Sequence, residues 1–147
     1  MIREICYEEL KAASDVLWKS FYEAEKNNHS LEGMELFRDL TDPVSLSINT
    51  FDGSIALYGY FEEEKLLAVA ALKLKKHILM LYVLPSEQKK GIGKKLLVHM
   101  EKQCDSERIS LNASDVAISF YQRFGYRIIG ERKIENGLIG TPMEKEL

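Results

Sequence analysis

The chain has 147 residues, a length typical of one domain with one hydrophobic core. Lys and Arg number 20 against 23 Asp and Glu, which gives a formal net charge of -3, and hydrophobic residues make up 46% of the chain. This balance is typical of a globular protein and argues against a general nucleic-acid binder, which would carry a basic surplus. The longest apolar runs fall far short of the roughly 18 residues that a membrane span requires, so no transmembrane helix is expected.

The first residues and the cysteines indicate the cellular compartment. Glu4, Glu8 and Glu9 stand where a secretory signal would carry basic charge before an apolar stretch, so a cytoplasmic location is expected. Cys6 and Cys104 are the only cysteines, and neither has a second Cys or a His at metal-ligand spacing. The sequence therefore predicts neither a disulfide framework nor a metal site.

The first third of the chain is predicted to be mostly helical. A short strand is predicted at residues 2–5, and apolar residues then recur at helical spacing over residues 8–26. Residues 27–30 interrupt this pattern before a second helix over residues 31–40. Thr41-Asp42-Pro43 carries the capping residues and the first-turn proline that begin a third helix.

From residue 55 onward the pattern predicts a sheet and two further helices. Residues 55–61 and 66–74 flank a charged turn, which predicts an antiparallel hairpin. The run over residues 78–83 is apolar on both faces, which predicts a central strand covered above and below. The remaining predicted elements are a helix over 91–104, a strand over 109–112, a helix over 115–124, a strand over 126–133, a turn at Asn136-Gly137 and a last strand ending at Leu147. This order indicates a mixed α/β sheet in one compact domain over residues 1–147.

The segment between the predicted central strand and the next helix carries the clearest chemical signal. Gly91 and Gly93 stand at the start of the helix, where a backbone without side chains lets a ligand approach closely. The first-turn N–H groups have no partner within the helix and point outward at the positive end of its dipole. The lysines that surround this loop are Lys89, Lys90, Lys94 and Lys95. These features predict a phosphate-binding site.

Three phosphate-loop patterns can be compared with this segment. The P-loop pattern fails because Gly91 and Gly93 are two residues apart and no Ser or Thr follows Lys94. The dinucleotide pattern G-x-G-x-x-G fails because Leu96 stands at the third glycine position. The pattern Q/R-x-x-G-x-G/A fits Gln88-Lys89-Lys90-Gly91-Ile92-Gly93, and this resembles the acetyl-CoA signature of the GCN5-related N-acetyltransferase (GNAT) superfamily.

Two later segments carry the same resemblance. Residues 112–126 are similar to the next characteristic block of the family, with Ala117, Tyr121 and Gly125 at its spacing, and residues 142–147 look like its last strand. The resemblance is specific from residue 55 onward and architectural before that. It implies a mixed, mostly antiparallel central sheet flanked by helices, acetyl-CoA as cosubstrate without a metal, and acetyl transfer to a primary amine.

The resemblance also implies a coenzyme site. In the family the pantetheine arm inserts between two splayed strands, so the backbone of Leu81, Tyr82 and Val83 is expected to bind it. The amide of Leu81 is then the expected donor to the thioester carbonyl. The expected pyrophosphate-binding loop consists of Gln88, Lys89, Lys90, Gly91, Ile92, Gly93 and Lys94. Asn112 is expected to contact the pantetheine amides, or else only to cap the next turn.

Two residues are catalytic candidates through the resemblance. The family places the tyrosine at the position of Tyr121 beside the coenzyme sulfur, where its hydroxyl can protonate the departing thiolate. The alternative is a core phenol with a hydrogen bond. In histone-type members a glutamate on the central strand is the base, and the matching position is His77, whose imidazole titrates near neutrality. The alternative is a solvated His77 and a water relay.

Candidate residues for the acceptor site lie along the first predicted helix. The family builds its acceptor site from the N-terminal helices and the late hairpin, and Trp18, Phe21, Tyr22 and Glu25 either line such a site or belong to the core. The expected reaction is direct attack of a small-molecule or peptide amine on acetyl-CoA in a ternary complex, without a covalent enzyme intermediate. The alternatives are a non-catalytic acyl-CoA-binding or sensor module and an interaction domain with a vestigial loop. A homodimer fits the family, and no nucleic-acid or membrane partner is expected.

Overall fold

A computed structural model describes residues 1–147, which form one mixed sheet with helices against both faces. The helices are α1 Leu10–Glu25, α2 Leu31–Leu40, α3 Pro43–Thr50, α4 Ile92–Gln103 and α5 Ile118–Arg123. The strands are β1 Ile2–Glu4, β2 Ile55–Glu62, β3 Lys65–Lys73, β4 His77–Val83, β5 Arg108–Ala113, β6 Arg127–Ile128, β7 Lys133–Glu135 and β8 Leu138–Glu146. None of the helices combines the length and the apolar character that a membrane span requires.

The strands follow one another in the order β1-β2-β3-β4-β5-β8-β6, and β7 pairs with β8. Every pair is antiparallel except β4 and β5, which run parallel and join only through His77 with Ser110 and Ile78 with Leu111. The predicted mixed, mostly antiparallel sheet flanked by helices is therefore confirmed. The short β4–β5 contact is the feature that determines where a ligand can enter.

Strand β3 separates the two halves of the hydrophobic core. Ala68, Ala70 and Leu72 pack in the cluster that includes α4, whereas Val69 and Ala71 pack in the cluster that includes α1, α2 and α3. This alternation is that of a strand covered on both faces. The fully covered strand is thus β3, although the prediction assigned that position to the next strand.

Strand β4 lies in the middle of the sheet, but the prediction that it is covered above and below is wrong. Only Ile78 of this strand is buried, and Leu79 is 40% exposed. Leu79 is the extra residue of a β-bulge, since Leu72 pairs with Ile78 and Ala71 pairs with Met80. Beyond the bulge β4 and β5 no longer pair, so the apolar run lines an opening instead of a sealed core.

The predicted strand over residues 126–133 is also wrong. The structure has two short strands there, β6 and β7, and the reason lies in the partner strand. The N–H of Ile129 donates to the carbonyl of Pro142 at 2.9 Å, but Pro142 has no N–H to donate back. The ladder therefore ends after Ile128. The predicted helix over residues 115–124 is shorter as well, and it forms only over α5.

Candidate active site

The opening between β4 and β5 presents unpaired backbone groups. The N–H of Leu84 donates to the carbonyl of Leu67 at 2.9 Å, which fixes the alternation of the β3–β4 ladder. In an antiparallel ladder every second residue turns its peptide groups away from the partner. The N–H and C=O groups of Leu81 and Val83 therefore face the opening. Tyr82 differs from both, because its backbone groups point toward β3 and its side chain lies on the α1 face.

The loop after β4 has the geometry of an anion cradle. Gly91 has a φ of +81°, which favours glycine, and a Cβ at this position would meet no atom within 4 Å. The N–H groups of Ile92, Gly93 and Lys94 find no acceptor in the protein. A Cβ on Gly93 would lie 3.3 Å from the ring of Phe120, so a side chain there would press against α5.

The charged and polar side chains of the loop have different roles. Lys89 and Lys94 are exposed and form no ion pair, so their charge is free for a ligand. Lys90 lies 3.1 Å from Glu87, and this hydrogen bond lowers the pKa of Glu87. Gln88 donates from Nε2 to the carbonyl of Val83 at 3.2 Å and so links the loop to the opening.

Tyr121 lies on α5 and is buried, with 7% of its surface exposed. Its ring packs edge-on against Phe120 and Tyr126, with centroid distances of 5.2 and 5.5 Å. Its hydroxyl makes no hydrogen bond within the protein, in contrast to the hydroxyl of Tyr126, which donates to Glu101 at 2.8 Å. Burial raises the pKa of Tyr121, and the negative charge of Glu25 raises it further. The phenol is therefore held in its protonated form, as a proton donor must be.

His77 lies at the end of β4 where the strands are still paired. Its Nδ1 is 2.8 Å from the Oγ of Ser110 on the neighbouring strand. Burial lowers the pKa of His77, and the positive charge of Lys73 lowers it further. The residue does not line the cavity described next. It lies at the start of β4, the opposite end of the strand from the Gln88–Lys94 loop.

A cavity of about 510 Å³ opens on the α1 face of the sheet. It is lined by residues of α1, α2, α3, β2, β4, β5 and the β7–β8 hairpin, and these include the N-terminal helices and the late hairpin that were expected to form an acceptor site. Asn112 lines it from the end of β5. The hairpin closes one wall by direct backbone contact, since a Cβ on Gly33 would overlap the carbonyl of Gly137. Of the aromatic residues predicted along α1, Phe21 reaches the cavity and Trp18 does not.

A buried hydrogen-bonded group lies in the wall of this cavity. Glu25 was among the α1 residues expected either to line an acceptor site or to belong to the core, and it lines the cavity, whereas His29 was given no role. The Oε1 of Glu25 lies 2.8 Å from the Nε2 of His29, and Tyr82 donates its hydroxyl to Oε2 at 2.9 Å. Burial raises the pKa of Tyr82 well above its usual range, and the Glu25 charge adds to the effect. The one available signal was the spacing of four residues between Glu25 and His29 across the end of a helix.

Comparisons with known proteins identify the family and the fold of this chain. A family model described as acetyltransferase (GNAT) domain matches residues 25–147, and the chain belongs to this family of acetyltransferases. No curated protein sequence matches the chain.

Solved structures share the fold over the whole chain. A GCN5-related N-acetyltransferase from Rhodopseudomonas palustris has a TM-score of 0.89 at 22% identity, covering 100% of this chain and 95% of its own. PaiA N-acetyltransferase from Thermoplasma acidophilum, solved in complex with coenzyme A, has a TM-score of 0.82 at 25% identity. The match covers 100% of this chain and 98% of that protein. The ribosomal-protein-alanine N-acetyltransferase from Brucella melitensis has a TM-score of 0.74 at 16% identity. The match covers 100% of this chain and 99% of that protein.

Proposed function

We propose that this protein transfers the acetyl group of acetyl-CoA to a primary amine, by direct attack of the amine within a ternary complex. The observation that carries the proposal is the opening between β4 and β5. It has the peptide groups of Leu81 and the N–H of Val83 free along one side, an anion cradle at its end and the protonated Tyr121 near it. The family gives the class of reaction, and this arrangement supports the particular mechanism.

The chain offers groups for each part of the coenzyme. The first-turn N–H groups of α4 would bind the pyrophosphate, and the charges of Lys89 and Lys94 would attract it. The peptide groups of Leu81 and Val83 would pair with the pantetheine amides as a neighbouring strand does, and Asn112 would contact them from β5. The coenzyme A complex of the Thermoplasma protein, at 25% identity, supports coenzyme A as the ligand.

Two groups would act on the reacting atoms. Acetyl-CoA supplies an activated thioester when it is bound. The N–H of Leu81 would donate to the thioester oxygen, where one well-placed hydrogen bond is worth roughly 3 kcal/mol in the transition state. The hydroxyl of Tyr121 would give its proton to the departing sulfur.

The positions of the cysteines support direct attack rather than a covalent enzyme intermediate. Cys6 lies beside Glu9, with its Sγ 3.1 Å from a carboxylate oxygen, and this hydrogen bond raises the pKa of the thiol. Cys104 follows the C-terminal end of α4, the opposite end from the anion cradle. A thiol with a raised pKa is a poor nucleophile at neutral pH.

Calorimetric titration with acetyl-CoA, followed by measurement of thiol release with a panel of primary amines and peptides, tests the proposal. Binding together with amine-dependent thiol release is the expected result. Binding without release by any amine would favour the acyl-CoA-binding module instead. Absence of binding would refute the coenzyme site itself.

A further inference from the structure

The carboxylate of Glu25 is withdrawn from solvent and yet lies in a cavity wall. The exposed fraction of its side chain is 3%, and that of His29 is 2%. Both oxygens of Glu25 accept a hydrogen bond, one from His29 and one from Tyr82. The residue comes from the last turn of α1, and its side chain contributes to the lining of the cavity.

His29 does not neutralise this carboxylate. The backbone N–H of Ile139 on β8 donates to Nδ1 of His29 at 3.1 Å, so Nδ1 carries no proton. The single ring proton is then on Nε2, which donates to Glu25, and the imidazole is neutral. No Lys or Arg forms an ion pair with Glu25. A buried carboxylate without a cation is energetically costly, so the site is complete only with a positive charge from outside the chain.

The surroundings of Glu25 define the kind of cation that fits. The rings of Phe21 and Phe37 stack at 3.7 Å between centroids, and Tyr82 meets them edge-on at 6.0 and 5.6 Å. These three rings line the cavity beside the carboxylate. Aromatic walls favour an organic cation with an apolar body. The side chains form no group of three or more metal ligands, so a metal ion is not the matching cation.

We infer that Glu25 binds the ammonium group of the acceptor, a primary alkylammonium, and removes its proton before attack. This inference rests on the proposed acetyl transfer and adds a base and a substrate class to it. His29 and Tyr82 are positioning residues that hold the two oxygens of the carboxylate. The charge of Glu25 raises the pKa of both Tyr82 and Tyr121, which agrees with a location close to the proton donor.

The proton balance of the step is complete with these residues. The ammonium gives one proton to Glu25, which releases it to solvent through the cavity, and the neutral nitrogen forms a bond to the acetyl carbon. The carbon–sulfur bond breaks, its electron pair goes to sulfur, and Tyr121 gives a proton to that sulfur. A second proton from the nitrogen restores the hydroxyl of Tyr121, and the third stays in the amide. The products are the N-acetyl amine, free coenzyme A and one proton.

The test uses Glu25→Gln with hexylamine as the probe amine and Glu23→Gln as the matched control. Glu23 lies on the same helix and is exposed, so the control makes the same chemical change outside the cavity. We expect kcat/KM for hexylamine to fall roughly 100-fold at neutral pH in Glu25→Gln. The dissociation constant of acetyl-CoA should stay within about twofold, which also shows that the variant folds. A rate within about threefold of the wild type would overturn the inference.

The pH profile distinguishes a base from a merely structural carboxylate. Without Glu25 only the neutral amine already present in solution reacts, and its fraction rises about tenfold per pH unit up to the amine pKa of about 10. The deficit of Glu25→Gln should therefore shrink as the pH rises from about 7 to about 10. A deficit that stays constant over this range would show that the carboxylate has only a structural role.

Calorimetry separates the failure of this inference from that of the proposed function. Hexylammonium and hexanol are titrated into the complex with acetyl-CoA, or with coenzyme A when turnover is too fast. The ammonium should bind at least about tenfold more tightly than the alcohol, and Glu25→Gln should abolish the difference. Equal binding of the two probes by the wild type would overturn the ammonium site even if acetyl transfer is observed. Selective binding without transfer to any amine would leave the site supported and refute the proposed reaction.

Discussion

Replacing Tyr121 by phenylalanine tests its role as the proton donor, because the structure predicts opposite effects on stability and on turnover. The hydroxyl has no hydrogen-bond partner in the protein, so its removal leaves no donor or acceptor unsatisfied. The free energy of unfolding should change by less than about 0.5 kcal/mol. The turnover number should fall about 100-fold or more, equivalent to about 2.7 kcal/mol in the activation free energy.

Tyr82→Phe is the matched comparison for stability. Its hydroxyl donates to the buried Glu25 carboxylate at 2.9 Å, and a hydrogen bond to a charged group contributes about 1.5–3 kcal/mol. Denaturant unfolding of both variants, with acetyl-CoA calorimetry and a thiol-release assay, measures the two effects separately. Turnover of Tyr121→Phe within about threefold of the wild type would refute the role as acid. A loss of about 2 kcal/mol in the free energy of unfolding of Tyr121→Phe would show that this hydroxyl does have a hydrogen-bond partner.

The raised pKa of Tyr121 also predicts the alkaline side of the pH–rate profile. A phenol whose pKa lies above its ordinary value of 10.0 keeps its proton at every lower pH. Loss of the catalytic proton should therefore cause no decline in kcat/KM below about pH 10. A decline near pH 9 that disappears in Tyr121→Phe would show that the hydroxyl titrates normally.

Substitutions at three further positions test other parts of the molecule. Gly91→Asp should weaken acetyl-CoA binding about 100-fold by charge repulsion. Gly91→Ala, with the same strained φ, should mainly lower stability by about 1 kcal/mol. Equal affinities of the two variants for acetyl-CoA in calorimetry would refute the anion cradle. The increase of kcat/KM with pH on the acidic side of the profile should persist in His77→Ala. Loss of this increase would assign the base to His77. The Arg3 hydrogen bond, helped by the backbone N–H of Cys6, lowers the pKa of Glu9 from 4.5 to about 2. The stabilisation by this hydrogen bond is present above pH 4.5 and is lost as the pH falls through about 2. The melting temperature of Glu9→Gln should therefore be lower than that of the wild type at neutral pH, and the two should become equal in acid. A difference in melting temperature that does not depend on pH would contradict this.

Local signals predicted those elements whose geometry depends on residues adjacent in the sequence. The β2–β3 hairpin follows from two strand patterns around a charged turn, and α2 forms over the predicted residues 31–40. Gly91 lies directly before α4, as predicted, and the structure adds that its φ is +81°. These features need only the chemistry of adjacent residues, which the sequence displays directly.

Features that depend on distant partners were not predictable in the same way. The end of β6 is determined by Pro142 on the partner strand, and the exposure of β4 is determined by the divergence of β5. The sequence offered Glu25 only as one of several residues along α1 that either line an acceptor site or belong to the core, and it gave no role to His29. The burial of these two residues comes from Tyr82, 57 residues away from Glu25, and from Ile139, 110 residues away from His29. The chemistry of the proposed base is therefore a property of the tertiary structure.

The two residue pairs that join β4 to β5 have a mechanical consequence. They are the only hydrogen-bonded seam between one half-sheet, β1 to β4, and the other, β5 with β6, β7 and β8. A pantetheine arm paired along Leu81 and Val83 would extend this hydrogen-bonded seam. The ligand would then stabilise the junction between the two half-sheets as well as supply the acetyl group. Ligand at about 100 times its dissociation constant stabilises a fold by about 2.7 kcal/mol. That stabilisation should be concentrated at the junction, and amide hydrogen exchange in β5 should slow when acetyl-CoA is present even though no acceptor has been added.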